Sequence, residues 1–158
     1  MDYPQRKTIR LKNYDYSTPG YYFITVCAKD KKKLFGDVAA GDEFSQSLPV
    51  LCKRGETVCE QLEAMRSFYS NIVLEKYVVM PNHVHMLLQV KAEQGTRPST
   101  LSAFVGTFKR FCSKSCGEDL WQSLSYDHVV RNEKDYQRIW EYIDNNPTRW
   151  TEDSLYTP

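Results

Sequence analysis

Residues 72–90 read IVLEKYVVMPNHVHMLLQV. Two apolar runs, 72–80 and 83–90, flank the dipeptide Pro81-Asn82. Proline has no N–H to give to a ladder, so the chain must bend or turn there. The stretch therefore predicts two strands meeting at Pro81-Asn82. On a strand, alternate side chains share a face. His83 and His85 then point the same way, with Cα atoms roughly 7 Å apart. Val84, Met86, Leu88 and Val90 point the other way, onto a core. These are two of only three histidines in the chain.

Outward from this pair, GYYFITVC (20–27) predicts a strand, aromatic and β-branched, behind a Pro19-Gly20 turn. Charged and small residues from Lys29 to Pro49 predict a loop. Val58, Leu62, Met65 and Phe68/Tyr69 recur three or four apart and predict a helix over 54–69. Residues 99–115 predict another, with Leu101, Phe104, Val105, Phe108 and Cys112 as its buried stripe and Ser99 as N-cap. WQSLSYDHVV (121–130) holds a last extended stretch. Residues 133–146 predict a final helix, closed by Pro147 because the residue before proline avoids the α region. Strands linked by short turns and helices give an α+β class, a largely antiparallel sheet with helices packed on it.

The 158 residues suit one domain, 1–158, with one core. At 41% hydrophobic and 26% charged residues, composition is that of a soluble globular protein. No apolar run is long enough to cross a bilayer, and the polar N-terminus lacks a secretion signal's apolar region. A cytoplasmic protein without membrane contact is expected. Five cysteines at irregular spacing do not form a disulfide framework, and Cys112/Cys116 lack the second pair of a zinc site. Net charge is only +1, but residues 1–33 carry eight Lys/Arg against three Asp/Glu. Arg6, Lys7, Arg10 and Lys12, interleaved with Tyr14 and Tyr16, have the composition of an arm for phosphates and stacked bases. Lys109 and Arg110 lie off their helix's buried stripe, where they can face a DNA backbone.

Two imidazoles on one strand can reach one divalent ion but cannot complete its shell. The last helix offers more. Tyr136, Ile139, Trp140 and Ile143 form its buried stripe. Tyr142 falls about 80–100° from the centre of that stripe. Asn146 lies one turn later on nearly the same side, with Asp135 close to the line. A hydroxyl and an amide thus share the edge of the buried face. Spacing alone leaves open a boundary tyrosine that packs its ring and wets its hydroxyl.

The motifs MPNHVHMLL (80–88), GTFKRF (106–111), WQSLSYDHVVRNEKDY (121–136) and EYIDNNP (141–147) together resemble the REP-associated tyrosine transposases, within the larger group of HUH single-strand DNA endonucleases. The resemblance spans almost the whole chain. It implies a ferredoxin/RRM-like antiparallel sheet with the histidines on a central strand. It matches Tyr142 to the nucleophile, His83 and His85 to metal ligands, and Asn146 to the polar residue that can complete the metal shell. The implied chemistry is metal-dependent cleavage and rejoining of single-stranded DNA, as in DNA transposition, through a 5′-phosphotyrosine. Mg²⁺ or Mn²⁺ is the implied cofactor. Hairpin-forming single-stranded DNA is the implied partner, and the protein would be a monomer or homodimer, with the tyrosine helix serving its own chain or a partner's. His128 matches the pattern too and is read as a structural hydrogen-bonding residue. Two alternatives stand beside this reading. One is a non-cleaving nucleic-acid-binding module of the same fold. The other is a metal-dependent phosphodiesterase for small substrates, which the basic aromatic arm and the lack of a nucleotide-binding glycine loop disfavour.

Overall fold

The computed structural model describes residues 18–41, 47–92 and 99–158. Along the chain run β1 (Gly20–Ala28), β2 (Gly36–Ala39), β3 (Leu48–Leu51), α1 (Lys53–Met65), β4 (Ile72–Met80), β5 (His83–Val90), α2 (Leu101–Cys116), β6 (Trp121–Val129) and α3 (Glu133–Asn145). The main sheet has the order β4-β5-β1-β6, every pair antiparallel. This is the α+β arrangement expected, and β5, with both histidines, is an internal strand.

The sheet's two faces divide by parity. Tyr22, Ile24 and Val26 of β1 join Val84, Met86 and Leu88 of β5 in the larger core, with Phe104 and Phe108 of α2 and Leu62 of α1. On the opposite face Phe23 and Leu87 pack against Ile139 and Ile143 of α3. α3 covers the β4–β5 half of that face. Lys76 of β4 fastens it there, lying 4.3 Å from the Trp140 ring centre and 2.6 Å from the Asp144 carboxylate.

Met80 pairs with His83, so Pro81 and Asn82 form the two-residue connection. Their carbonyls, which no ladder can use, accept from Phe35 N–H at 3.0 Å and Ala28 N–H at 2.8 Å. The turn that introduces the histidines is thereby held from two sides.

Several boundaries differ from the sequence expectation. The Lys29–Pro49 loop contains a 3-10 turn at Lys29–Lys31 and the β2–β3 hairpin. Four-residue strands offer too little alternation to read, and Pro49 reads as a breaker although an edge position tolerates it. Gly36 is required there: its φ is 140°, and a Cβ would come 2.2 Å from the Val50 carbonyl oxygen. The first helix ends at Met65, so Phe68 and Tyr69 lie beyond it. Arg66 closes that end, donating to the Leu74 carbonyl at 2.7 Å. The second helix is capped by Thr100, whose hydroxyl accepts from Ala103 N–H at 3.1 Å, and not by Ser99. The last extended stretch is a full nine-residue strand. α3 ends at Asn145, one residue short of the expected 146, with Asn146 as its C-cap and Asn132 as its N-cap. The expected basic arm, Arg6, Lys7, Arg10 and Lys12, lies outside the described residues.

Candidate active site

β5 sets His83 and His85 side by side with their Nε2 atoms 3.0 Å apart. Both are buried, at 0% and 3% exposure. Each ring is oriented through its other nitrogen. Asn82 Nδ2 donates to two carbonyls, Lys31 at 3.2 Å and Leu155 at 2.7 Å. That fixes the amide, so Asn82 Oδ1 is the atom that accepts from His83 Nδ1 at 2.7 Å. His83 therefore carries its proton on Nδ1 and turns a lone pair inward on Nε2. His85 Nδ1 meets the Thr25 hydroxyl at 2.8 Å. A hydroxyl can accept as well as donate, so Thr25 supports His85 with either Nε2–H or an Nε2 lone pair facing inward.

Burial lowers the His83 pKa to about 4, against the raising influence of the Asp153 carboxylate and Asn146. Burial, then the His83 neighbour, lower that of His85. Both rings are neutral near pH 7, the form in which imidazole ligates metals.

Asp153 completes a three-residue cluster with the two histidines. Its Oδ2 lies 3.6 Å from His83 Nε2, and its side chain is only 2% exposed. The segment after Pro147 delivers it through successive tight turns: Trp150 N–H to Pro147 O, Asp153 N–H to Trp150 O and Tyr156 N–H to Asp153 O. Trp150 lies 6.0 Å from the His83 ring and Tyr156 lies 5.1 Å from Trp150, so aromatic contacts seat the segment. Sequence reading missed Asp153, because an acid in TEDSLYTP has no periodicity to separate it from neighbouring surface acids.

Asn146 links this cluster to the tyrosine helix. Its Nδ2 donates to Asp153 Oδ2 at 3.0 Å. Its Oδ1 is buried and has no hydrogen-bond partner among the described residues. Such an orphaned oxygen is costly unless something meets it. Two neutral imidazoles, a buried carboxylate and an orphaned amide oxygen are donors that fit a divalent cation.

Tyr142 packs its ring against His85 at 5.3 Å and Phe23 at 5.9 Å, both edge-on. The histidine pair and the tyrosine therefore meet within one chain. Burial pushes the phenol up to about 12; the Asp153 carboxylate adds to the rise and a hydrogen bond with Asn146 opposes it. The hydroxyl thus senses the same two residues that border the histidines.

The remaining expected residues sit elsewhere. Lys109 is half-buried and donates to the Gln122 carbonyl at 2.8 Å, tying α2 to β6. Arg110 is exposed and donates to the Thr107 hydroxyl at 3.0 Å. Both border an open groove of about 670 Å³ that also takes in Lys29, Trp121 and Tyr126. His128 bonds Asp135 at 2.9 Å, between β6 and the first turn of α3. The five cysteines are all unpaired.

No family model matches the chain. It is 34% identical to an uncharacterized protein of Haemophilus influenzae, over 96% of this chain and 93% of that one. A second H. influenzae protein, whose name assigns it provisionally to the REP-associated tyrosine transposases, is 22% identical over 88% of this chain and 77% of its own length. In three dimensions the chain shares its fold, at a TM-score of 0.62 and 21% identity, with a REP-associated tyrosine transposase solved bound to a REP hairpin; the match covers 89% of this chain and 73% of that one. The chain has the fold of a REP-associated tyrosine transposase. In this chain β5 and α3 lie face to face, and that contact joins His83, His85, Tyr142, Asn146 and Asp153.

Proposed function

We propose that the chain cleaves and rejoins single-stranded DNA with Tyr142 as nucleophile and a divalent ion, Mg²⁺ or Mn²⁺, held by His83, His85, Asp153 and Asn146. The observation that carries this reading is the Tyr142 ring lying 5.3 Å from His85, beside the buried cluster of His83, His85 and the Asp153 carboxylate. A non-cleaving binding module has no use for that convergence. When bound, the ion would polarise the scissile phosphate and offset its growing charge.

The chain's own residues supply the rest. Tyr142 Oη forms a bond to phosphorus as the bond to the 3′ oxygen breaks. The phenol gives up a proton to solvent and the leaving oxygen gains one. A 5′-phosphotyrosine and a free 3′-OH result, and the covalent link lets a second end be joined without ATP. Asn146 orients the Tyr142 hydroxyl. Asn82 and Thr25 hold the imidazoles in fixed directions, which is the positioning that phosphoryl transfer depends on.

The site would be assembled in cis, whether the protein is a monomer or a homodimer. Residues 1–158 would act as one endonuclease unit in the cytoplasm; among the described residues, no helix is long and apolar enough to cross a membrane. A hairpin-forming strand is the favoured substrate, as in the relative solved with a REP hairpin. Arg6, Lys7, Arg10 and Lys12, with Arg110 and Lys109 at the groove, would bind its backbone. Incubating the protein with a labelled hairpin library and Mn²⁺ or Mg²⁺, then isolating covalent adducts on denaturing gels, tests the reading. Failure to recover any adduct with either metal would contradict it.

A further inference from the structure

Tyr142 has two sides. Its inner side meets His85 and Phe23. Its other side borders a cleft of about 130 Å³, lined by Arg138, Glu141, Tyr142, Asn145, Asn146 and Arg149. Arg138, Tyr142 and Asn146 follow at i, i+4 and i+8, so one stripe of α3 and its C-cap carries a guanidinium, the phenol and the amide in line. Arg149 comes from the turn beyond Pro147, on the segment that also delivers Asp153.

Both arginines are aimed by carboxylates that do not exhaust them. Arg138 gives one nitrogen to Asp135 Oδ1 at 3.1 Å. Asp135 is itself fixed, accepting from Arg131 N–H at 3.1 Å and bonding His128 at 2.9 Å. Arg149 forms an ion pair with Glu152, its Nε 3.4 Å from Oε2. A guanidinium has five donors, so most of each fork remains for another acceptor. Glu141 also lines the cleft, so an acceptor there would meet the guanidinium N–H groups that Asp135 and Glu152 leave open. Paired guanidinium forks match the non-bridging oxygens of a phosphate.

We infer that Arg138 and Arg149 form a phosphodiester-binding cleft beside Tyr142, holding a backbone phosphate that adjoins the scissile one. This rests on the reading that single-stranded DNA is the substrate. The two arginines are positioning residues: they fix the strand along α3 so that the phosphate to be attacked faces the phenol.

The test uses the full chain carrying Tyr142→Phe, so binding is measured without covalent capture, and a labelled single-stranded pool of random sequence as probe. Each phosphate contact on a single strand adds about 0.7 to the slope of log affinity against log salt. Arg138→Gln with Arg149→Gln is expected to reduce that slope by about 0.7, in a variant that still unfolds cooperatively. Arg138→Lys with Arg149→Lys is expected to restore most of it, since a lysine still neutralises a phosphate. An unchanged slope in the glutamine variant overturns the inference, as does a slope that lysine fails to restore. Adduct formation by the chain with Tyr142 intact is scored separately. If adducts are absent while the slope still falls, the cleft stands and the cleavage reading fails. If adducts form while the slope holds, the reverse is true.

Discussion

Asp153 Oδ2 lies 3.6 Å from His83 Nε2, a carboxylate from the end of the chain set against an imidazole in the middle of the sheet. Asn146 bridges the two elements by donating to that same oxygen at 3.0 Å. A buried carboxylate in such a place needs a positive partner. Asn146 and the Leu155 N–H, at 2.8 Å from Oδ1, donate to it, and a bound cation would add the counter-charge. Asp153→Asn keeps the shape and removes the charge. It is expected to weaken Mn²⁺ binding by about tenfold or more, the cost of disturbing a group in or beside a metal shell. Calorimetric titration of Mn²⁺ into both proteins checks this, and equal affinities would remove Asp153 from the shell.

Thr25 supports His85 through a hydroxyl that works in either direction. Thr25→Val keeps the volume and the strand propensity but cannot hydrogen-bond. The variant is expected to fold, to melt within a few degrees of the parent, and to bind Mn²⁺ roughly 10–100-fold more weakly. Thr25→Ser is expected to retain binding. A valine variant that binds normally would show that His85 needs no orientation.

Asp135 provides the pH dependence. Burial works to raise its pKa, but the His128 hydrogen bond, the Arg131 N–H and the Arg138 side chain outweigh this and hold it below the ordinary 3.8. A carboxyl depressed in the folded state stabilises the protein above its unfolded value. That contribution is lost as pH falls from about 3.8 through the lower folded value. Urea unfolding from pH 7 to pH 3 should therefore show a steeper acid loss in the parent than in Asp135→Asn. Parallel curves would show that the His128–Asp135 bond carries no linkage.

Phe108 is fully buried and packs against Trp121 with ring centres 5.3 Å apart, joining α2 to β6. Phe108→Ala is expected to cost about 3–5 kcal/mol. The lesion is on the sheet face opposite the histidines, so where the variant remains folded, Mn²⁺ affinity should be kept. Denaturant unfolding and metal titration read the two effects apart.

How far the sequence reaches depends on regular spacing. The strands β4 and β5 match IVLEKYVVM and HVHMLLQV residue for residue, since alternation and Pro81 mark both ends. α3 was legible from Tyr136, Ile139, Trp140 and Ile143, of which Ile139 and Ile143 are buried. Strand and helix periods also placed His83, His85, Tyr142 and Asn146 on the correct faces. Asp153 and Arg149 were illegible because they sit in turns held by hydrogen bonds at i, i+3, where no period exists. Thr25 was hidden for another reason: it meets His85 only through the β1–β5 register, and register between distant strands is not written in either strand alone.

The central claim is that Tyr142 is the nucleophile of a metal-dependent reaction on single-stranded DNA. The most direct measurement is covalent capture of a labelled single-stranded hairpin in Mn²⁺ by the parent chain and by Tyr142→Phe, read as a band surviving denaturation. The account predicts an adduct for the parent that EDTA abolishes, and no adduct for Tyr142→Phe even though it still binds the DNA. An adduct that persists in Tyr142→Phe would contradict it.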